Sequence, residues 1–385
     1  MRVRRSFWVL LVSAIFVSIA SAHKPSLTII VNAPASTPAD AQLFIAGSDT
    51  SMGNWSPSSV RLTNEGGSRW VFRKNYEKGT ALEFKITLGS WMSEALFNGP
   101  TIPGNIAVTV NADTTIVLSP SGWAGPAPKD VTGGITGSVK YHKGIAGKNL
   151  LYARDLIVWL PPSYDHEPLR RYPVLYMHDG QNIIDPATSF AGADWRVDEV
   201  ADSLIRAGSI EELIIVGIYN TPDRVKEYSD TPLGKEYAGF VISTVKPMVD
   251  SLYRTKPDRS NTAVMGSSMG GLVSFLFAWH YSDVFSMAGC ISPAFLVDDG
   301  KVLAEVKAYN EPKKDIRVFL DVGGAGLETR LKPGYEKMIG LLTEKGFVKG
   351  RDLDDYYDAA GEHHEHAWAH RIWRALVFMF GTQKH

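Results

Sequence analysis

The chain has 385 residues, 44% of them hydrophobic, and its 40 basic side chains nearly balance its 41 acidic ones. A net charge of −1 argues against the basic surface that sequence-independent binding to nucleic acid or to an anionic membrane requires. The single cysteine, Cys290, excludes an intramolecular disulfide, and its apolar surroundings indicate a buried core residue. The length exceeds one typical domain and predicts two.

The first 22 residues have the organisation of an export signal. Basic residues at positions 2, 4 and 5 precede an apolar run over residues 7–19, and residues 20–22 form an A-x-A cleavage site. The apolar run is shorter than the roughly 20 residues that a membrane-spanning helix needs, which favours a cleaved signal peptide over an anchor. We therefore expect a secreted or periplasmic protein whose mature form has no membrane segment.

Residues 23–122 show the pattern of a small all-β sandwich domain. Short segments of alternating apolar and polar residues are separated by turns rich in glycine, asparagine and aspartate, a spacing typical of a β-sandwich. The predicted strands cover residues 27–31, 41–46, 70–74, 82–87 and 106–110. Residues 123–137 are rich in proline and glycine and predict a linker.

Four stretches of this domain, at residues 46–48, 52–55, 79–85 and 89–91, together resemble the starch-binding-type carbohydrate-binding modules. The resemblance implies that Trp55 stacks on a sugar ring and that Lys85 assists, because an aromatic face packs on the apolar face of a sugar. The second platform tryptophan of that family is missing from the corresponding run, and Trp91 is the candidate substitute. The alternative is a domain that only packs against the catalytic domain.

In residues 138–385, apolar runs alternate with amphipathic helical stretches, which predicts an α/β fold with a doubly wound, mostly parallel sheet. Polar and glycine-rich groups follow several runs, at the carboxyl edge where such sheets place their sites. The predicted strands cover residues 156–160, 173–177, 213–218, 262–265, 286–290, 316–320 and 353–357.

The motif G-S-S-M-G-G at residues 266–271 lies between an apolar β-branched run and a helix-compatible segment. This strand-turn-helix context is the one that the nucleophile elbow of an α/β-hydrolase requires, and it predicts Ser268 as the nucleophile. The N–H of Met269 is then one donor to the oxyanion. The second is expected from the loop after an early strand, where Gly180 is preferred and Asp179 and Gln181 are the alternatives.

A serine nucleophile needs a base and an acid, and in α/β-hydrolases the chain order is Ser, acid, His. His363 follows the last predicted strand and a turn, so a loop carries it, and His364 is its rival. The acid is expected in the glycine-rich loop after residues 316–322, where Glu328 is preferred and Asp321 is the alternative. The histidines at residues 363–370 do not form an H-E-x-x-H zinc motif, so neither a metal nor a cofactor is predicted.

Five motifs together resemble the putative esterase family, which holds feruloyl, acetylxylan and siderophore (enterobactin-type) esterases. They are R-D-x-x-V-W-L-P-P-x-Y at residues 154–164, Y-P-V-L-Y-M-H-D-G-Q-N at 172–182, R-x-x-E-Y at 224–228, G-S-S-M-G-G at 266–271 and G-x-H-x-E-x-x-W-x-x-R at 361–371. The resemblance implies an α/β-hydrolase fold and ester chemistry. It also places the catalytic base on His363.

Four further residues, Trp195, Arg224, Glu227 and Tyr228, are predicted to line the acyl or alcohol pocket. Taken together, the sequence predicts a secreted serine esterase that hydrolyses acyl or feruloyl groups on carbohydrate through a Ser-His-Glu triad. The alternatives are a siderophore esterase, an acyltransferase that uses a sugar hydroxyl in place of water, and a non-catalytic carbohydrate-binding protein.

Overall fold

The structure is a computed structural model that describes residues 24–54, 56–89, 93–97, 105–123, 134–189 and 192–382. The predicted signal peptide at residues 1–22, the two candidate platform residues Trp55 and Trp91, and most of the predicted linker lie outside these ranges. None of the described helices combines the length and the apolarity that crossing a membrane requires.

The predicted all-β domain is confirmed. Its described residues form a sheet of order β4-β5-β1-β9, a facing sheet of order β3-β2-β6-β8 and a two-stranded β7-β10 pair. The strands are β1 Ser26–Asn32, β2 Phe44–Gly47, β3 Val60–Arg61, β4 Thr63–Gly66, β5 Arg69–Asn75, β6 Thr80–Thr87, β7 Ala95–Leu96, β8 Ile106–Val110, β9 Thr114–Leu118 and β10 Gly122–Trp123. The core lies between the two larger sheets because alternate residues of each strand point inward.

Strand β6 illustrates this alternation. Leu82, Phe84 and Ile86 point into the sandwich core and are at most 3% exposed. Glu83 and Lys85, which lie between them, therefore point to the outer face of the same sheet. The sequence pattern alone predicts this division of β6 into an apolar and a charged face.

The predicted α/β domain, with its mostly parallel sheet, is also confirmed. Its described residues form an eight-stranded sheet of order β11-β12-β14-β13-β15-β16-β17-β18. The strands are β11 Ser138–Ile145, β12 Arg154–Leu160, β13 Val174–His178, β14 Ile214–Ile218, β15 Thr262–Ser267, β16 Met287–Ile291, β17 Arg317–Gly323 and β18 Leu353–Asp358. The β11–β12 and β12–β14 pairs are antiparallel, and the other neighbours are parallel.

Helices cover both faces of this sheet, so successive residues of a central strand enter opposite cores. In β13, for example, Tyr176 packs with the helices of one face, whereas Leu175 and Met177 pack with those of the other. The helices are α1 Val197–Arg206, α2 Arg224–Glu227, α3 Pro232–Phe240, α4 Lys246–Leu252, α5 Met269–His280, α6 Lys301–Ala308, α7 Glu328–Glu344, α8 Glu365–Ala369 and α9 Ile372–Phe380. Helices α1 and α9 pack on one face and α3 to α7 on the other.

Candidate active site

Ser268 lies between the end of β15 and the start of α5, in the strand-turn-helix arrangement that its motif predicts. Its backbone has φ 58° and ψ −118°, a region that a residue with a side chain rarely adopts. Two hydrogen bonds hold it there: the Ser268 N–H donates to the Ile291 carbonyl at 2.9 Å, and the Ala294 N–H donates to the Ser268 carbonyl at 3.0 Å. A Cβ on Gly266 would lie 2.8 Å from the Gly270 backbone, so this sharp turn requires glycine before the serine.

The imidazole of His363 and the carboxylate of Glu328 form a hydrogen-bonded pair. His363 Nδ1 lies 3.0 Å from Glu328 Oε1, and the side chains are 14% and 0% exposed, respectively. The His363 ring also packs edge-on against Trp368, with the ring centroids 5.0 Å apart. Burial raises the pKa of Glu328, but the hydrogen bond and the charge of His363, together with Ser292 and Arg371, outweigh this and leave that pKa below its usual value. An ionised carboxylate in this place can fix the tautomer of the imidazole.

A buried polar network also holds the Glu328 carboxylate. Ser292 Oγ donates to Glu328 Oε1 at 2.5 Å, and Arg371 Nη2 lies 2.5 Å from Ser292 Oγ and 3.3 Å from Glu328 Oε1. The Gly323 N–H donates to the other oxygen, Oε2, at 2.8 Å. Several donors therefore converge on one carboxylate, which keeps it ionised and in a single orientation.

Asp321, the alternative acid, belongs to the same network but is not hydrogen-bonded to His363. Its carboxylate accepts hydrogen bonds from Arg371 Nε at 2.8 Å and from the Ser292 N–H at 2.9 Å. Burial raises the pKa of Asp321 to about 6, against the opposing effect of Arg371. The structure thus assigns Asp321 to the buried Arg371 and leaves Glu328 as the carboxylate that contacts His363.

The loops that carry Glu328 and His363 are hydrogen-bonded to each other. The N–H groups of Gly324 and Ala325 donate to the Gly361 carbonyl at 3.1 and 3.0 Å. A Cβ on Gly323 would lie 2.2 Å from the same carbonyl oxygen, so the loops can approach this closely only because Gly323 has no side chain.

His364, the rival base, has a structural role. Its Nδ1 accepts the Ala367 N–H at 3.2 Å and caps the N-terminus of α8. Its Nε2 pairs with Glu362 at 2.9 Å on the half-exposed surface. Both ring nitrogens of His364 are therefore engaged without contacting Glu328.

The two predicted oxyanion donors occupy suitable elements, and their role stays a prediction. Met269 is the first residue of α5, and the first N–H groups of a helix have no intrahelical acceptor. Gly180 begins a short 3-10 turn after β13, and a Cβ there would lie 2.3 Å from the Gly217 carbonyl carbon, so packing against β14 requires glycine. This loop borders the elbow, since a Cβ on Gly270 would lie 3.5 Å from the His178 Cβ.

The other two residues of this loop that the sequence offers as donors are engaged through their side chains. Asp179 accepts two hydrogen bonds from Arg224, at 2.7 and 2.6 Å. Gln181 Oε1 accepts the Asn220 N–H at 3.2 Å. These contacts fix the loop beside the elbow.

Two of the predicted pocket residues are buried supports, which corrects their assignment. Glu227 is 1% exposed and holds the buried Arg154 through two hydrogen bonds, at 2.7 and 3.0 Å. Tyr228 is fully buried, and its hydroxyl accepts the Asp179 N–H at 3.2 Å. Because both side chains are removed from solvent, they position the loops around the site instead of lining an open pocket.

The remaining predicted binding residues have mixed placements. Trp195 is 2% exposed and stacks obliquely on Trp368, with 5.2 Å between the ring centroids, so it supports the His363 ring indirectly. Arg224 keeps 18% of its side chain exposed while it binds Asp179. Lys85 is paired with Glu94 of its own domain at 2.5 Å.

One carboxylate cluster in the described part of the chain could hold a cation. Oxygen atoms of Asp194, Asp198 and Glu199 lie within 4.8 Å of one another. Burial raises the pKa of Asp194 to about 6 and that of Asp198 to about 8, which favours protonation over a purely anionic cluster. These residues are separate from the Glu328–His363 pair.

Two family models match the chain. The model described as Putative esterase matches residues 150–379, which is more than half of the chain, and the model described as Starch binding domain matches residues 26–97. The protein named Uncharacterized protein YbbA of Bacillus subtilis is 21% identical over 267 residues, which are 64% of this chain and 98% of that protein. An endo-1,4-beta-xylanase/feruloyl esterase of Xylanibacter ruminicola is 26% identical over 226 residues, which are 57% of this chain and 28% of that protein.

Solved structures of esterases share the fold. A ferulic acid esterase has a TM-score of 0.53 at 22% identity and covers 64% of this chain and 98% of its own. The enterobactin esterase FES from Shigella flexneri, in the presence of enterobactin, has a TM-score of 0.53 at 13% identity and covers 88% of this chain and 87% of its own. With an α/β sheet, a serine at a strained elbow and a family match over residues 150–379, this chain belongs to the putative esterase family and is a carboxylic ester hydrolase.

Proposed function

We propose that the chain is a secreted serine esterase with Ser268 as nucleophile, His363 as base and Glu328 as the acid that orients the base. The observation that carries the proposal is the 3.0 Å hydrogen bond between His363 Nδ1 and Glu328 Oε1. It joins two residues 35 positions apart, the first residue of α7 and a residue of the loop before α8, in the chain order that α/β-hydrolases use. The strained backbone of Ser268 supports the same assignment.

In the proposed mechanism, Ser268 Oγ attacks the ester carbonyl carbon while His363 Nε2 takes the hydroxyl proton. The oxyanion that forms accepts hydrogen bonds from the N–H groups of Met269 and Gly180. Collapse breaks the bond to the leaving oxygen, which receives the proton from His363 and departs as the alcohol. Water, deprotonated by the same histidine, then releases the carboxylic acid and regenerates Ser268.

The substrate that the comparisons favour is an acyl or feruloyl ester on carbohydrate. The starch-binding match over residues 26–97 supports a glycan-associated role, and the relative from Xylanibacter ruminicola is described as a xylanase and feruloyl esterase. An exported enzyme would meet polysaccharide outside the cell. Amino-terminal sequencing of the exported protein tests this part, with cleavage expected after Ala22.

The decisive experiment compares Ser268→Ala with wild type on p-nitrophenyl acetate. We expect kcat to fall by about 10⁴-fold to 10⁶-fold, the range for removal of a triad nucleophile. Ser274→Ala, which removes a buried hydroxyl from the same helix, is the matched control and should keep wild-type kcat. A wild-type enzyme as slow as Ser268→Ala would instead favour a carbohydrate-binding protein without catalysis.

A siderophore esterase is the second candidate. The FES structure covers 88% of this chain, a larger share than the catalytic domain alone, so its likeness extends into the amino-terminal domain. Hydrolysis of a ferric siderophore triester, measured beside methyl ferulate and acetylated xylan, separates the two functions. Product analysis with an added sugar acceptor distinguishes acyl transfer from hydrolysis.

A further inference from the structure

A groove of about 590 Å³ lies between strand β18 and helix α9, and none of the proposed catalytic residues lines it. Strand β18 is the last strand of the large sheet, so the groove lies at the margin of the catalytic domain. Its volume falls within the roughly 300–1,000 Å³ that is typical of sites for small molecules. The β18–α9 groove is therefore large enough to hold a ligand outside the active site.

Four aromatic side chains line the groove. Phe319 and Phe378 are 2% and 8% exposed and form its buried part, whereas Tyr356 of β18 is half-buried and Trp373 of α9 is 39% exposed. Aromatic rings with one side open to solvent are common at binding sites, because their apolar faces gain from being covered. The indole of Trp373 offers such a face, flat and comparable in size to a sugar ring.

The groove also contains a cation without a counter-charge. The guanidinium carbon of Arg374 lies 3.8 Å from the centroid of the Tyr356 ring and 4.2 Å from that of the Trp373 ring. Its Nε is buried without a hydrogen-bond partner, and no hydrogen bond or ion pair joins the guanidinium to any residue that the structure describes. Ring contacts use the face and the charge of a guanidinium, but its N–H donors lie in its plane and need acceptors. A carboxylate is the acceptor that matches this planar donor set best.

The other charged residues of the groove differ from Arg374. Lys349 is paired with Asp355 at 2.6 Å, and Arg351 is paired with Asp352 at 3.2 Å, so their charges are already compensated. One oxygen of Asp354 accepts the Asp355 N–H at 2.9 Å, and the other has no partner within the described ranges. The groove thus combines donors for a carboxylate with an acceptor for hydroxyl groups.

We propose that the β18–α9 groove binds a carboxylate-bearing sugar, such as a uronic acid unit of an acidic polysaccharide. The carboxylate pairs with the in-plane donors of Arg374, the sugar ring packs on Trp373, and a hydroxyl group donates to Asp354. An aromatic acid such as free ferulate also has a carboxylate on a flat ring, but it has fewer hydroxyl groups to offer Asp354. The site holds the polysaccharide to the catalytic domain, and this goes beyond the proposed function because it needs none of the three triad residues.

The test is isothermal titration calorimetry of the full chain with two matched oligosaccharides. One is a xylo-oligosaccharide that carries a glucuronic acid unit, and the other is the same compound with its carboxylate reduced to an alcohol. We expect wild type to bind the acidic compound about tenfold more tightly, the size of one hydrogen bond to a charged group.

Variants of the groove separate the charge contact from the ring contact. Arg374→Gln should remove the preference for the acidic compound and leave binding of the reduced one unchanged, and Arg374→Lys, which lacks the planar fork, should retain only part of the preference. Trp373→Ala should weaken binding of both compounds, because it removes the surface on which the ring packs. Arg170→Gln is the matched control and should bind as wild type does, since Arg170 also lies over a ring, 5.4 Å from the Tyr172 centroid, but is already paired with Glu212 at 2.8 Å. Melting temperatures show that each variant is folded.

Equal affinity of wild type for the two compounds, or an Arg374→Gln variant that keeps the preference, overturns the proposal. Free ferulate that binds in an Arg374-dependent way while the acidic oligosaccharide does not bind overturns it as well, because the groove then selects an aromatic acid. Ser268→Ala should bind both oligosaccharides as wild type does, which separates the groove from the triad. Failure of the groove leaves Ser268-dependent ester hydrolysis standing, and a Ser268→Ala variant with wild-type turnover leaves the groove standing.

Discussion

Replacing Glu328 with glutamine tests the assignment of the acid most directly. In the described structure His363 Nδ1, Ser292 Oγ and Arg371 Nη2 lie at 3.0, 2.5 and 3.3 Å from Oε1, and the Gly323 N–H lies 2.8 Å from Oε2. A glutamine has a single acceptor oxygen, so its NH₂ group must face at least one of these donors. The orientation that keeps most of the hydrogen bonds puts the NH₂ group against Gly323.

This geometry gives two magnitudes. The unsatisfied contact at Gly323 should lower the free energy of unfolding by about 1–3 kcal/mol. The imidazolium that forms during catalysis also loses its counter-charge, so kcat should fall, but by less than the roughly 10⁴-fold that accompanies a wrong imidazole tautomer, because the amide oxygen still accepts from His363 Nδ1. The assays are urea unfolding and p-nitrophenyl acetate hydrolysis at one pH.

Asp321→Asn is the matched control for Glu328→Gln. It removes the nearest of the carboxylate charges around Arg371, whose side chain is 1% exposed, and should lower the free energy of unfolding by about 3 kcal/mol. Its kcat should fall much less than that of Glu328→Gln, because Asp321 does not contact His363. If Asp321→Asn proved the more damaging variant for kcat, the reasoning that assigns the acid to Glu328 would be refuted.

Three further predictions concern pH, a buried ion pair and a loop contact. Burial raises the pKa of Glu365 in the folded protein to about 7, above its usual 4.5. The unfolded state therefore loses this proton first, and the free energy of unfolding declines as pH rises from about 5 to 7. Glu365→Gln should remove up to about 3 kcal/mol of this decline when urea unfolding is measured against pH. Glu227→Ala leaves Arg154 buried without a partner and should cost about 3–5 kcal/mol in urea unfolding, whereas Glu227→Ala with Arg154→Met should recover much of it. Gly323→Ala should lower both the melting temperature and kcat, because its Cβ pushes the two triad loops apart, while Gly340→Ala, at an exposed position of α7, should lower neither. The first argument fails if the stability difference between Glu365→Gln and wild type does not change with pH. The second fails if the unfolding costs of Glu227→Ala and Arg154→Met simply add in the double variant, and the third fails if Gly323→Ala keeps the wild-type melting temperature and kcat.

The sequence by itself determined the local elements and the candidates for chemistry. The apolar runs of the central strands and the glycines around Ser268 are local signals, because burial on both faces of a sheet and a tight turn each impose a residue type on the chain. The strand β11 escaped prediction because it is a polar edge strand without buried side chains and without an apolar run. Likewise, no local pattern distinguishes Ser292 from any other serine.

Only the tertiary structure decided which candidate contacts which. Glu328 and Asp321 are both carboxylates near one strand end, and their different partners follow from how β16, β17 and the carboxyl-terminal helices pack. Packing also buried Glu227 against Arg154 and turned Glu83 of the sandwich toward Arg330 of the catalytic domain. Such pairings join residues far apart in the chain, and their energies depend on distance and burial that a linear order of residues does not specify.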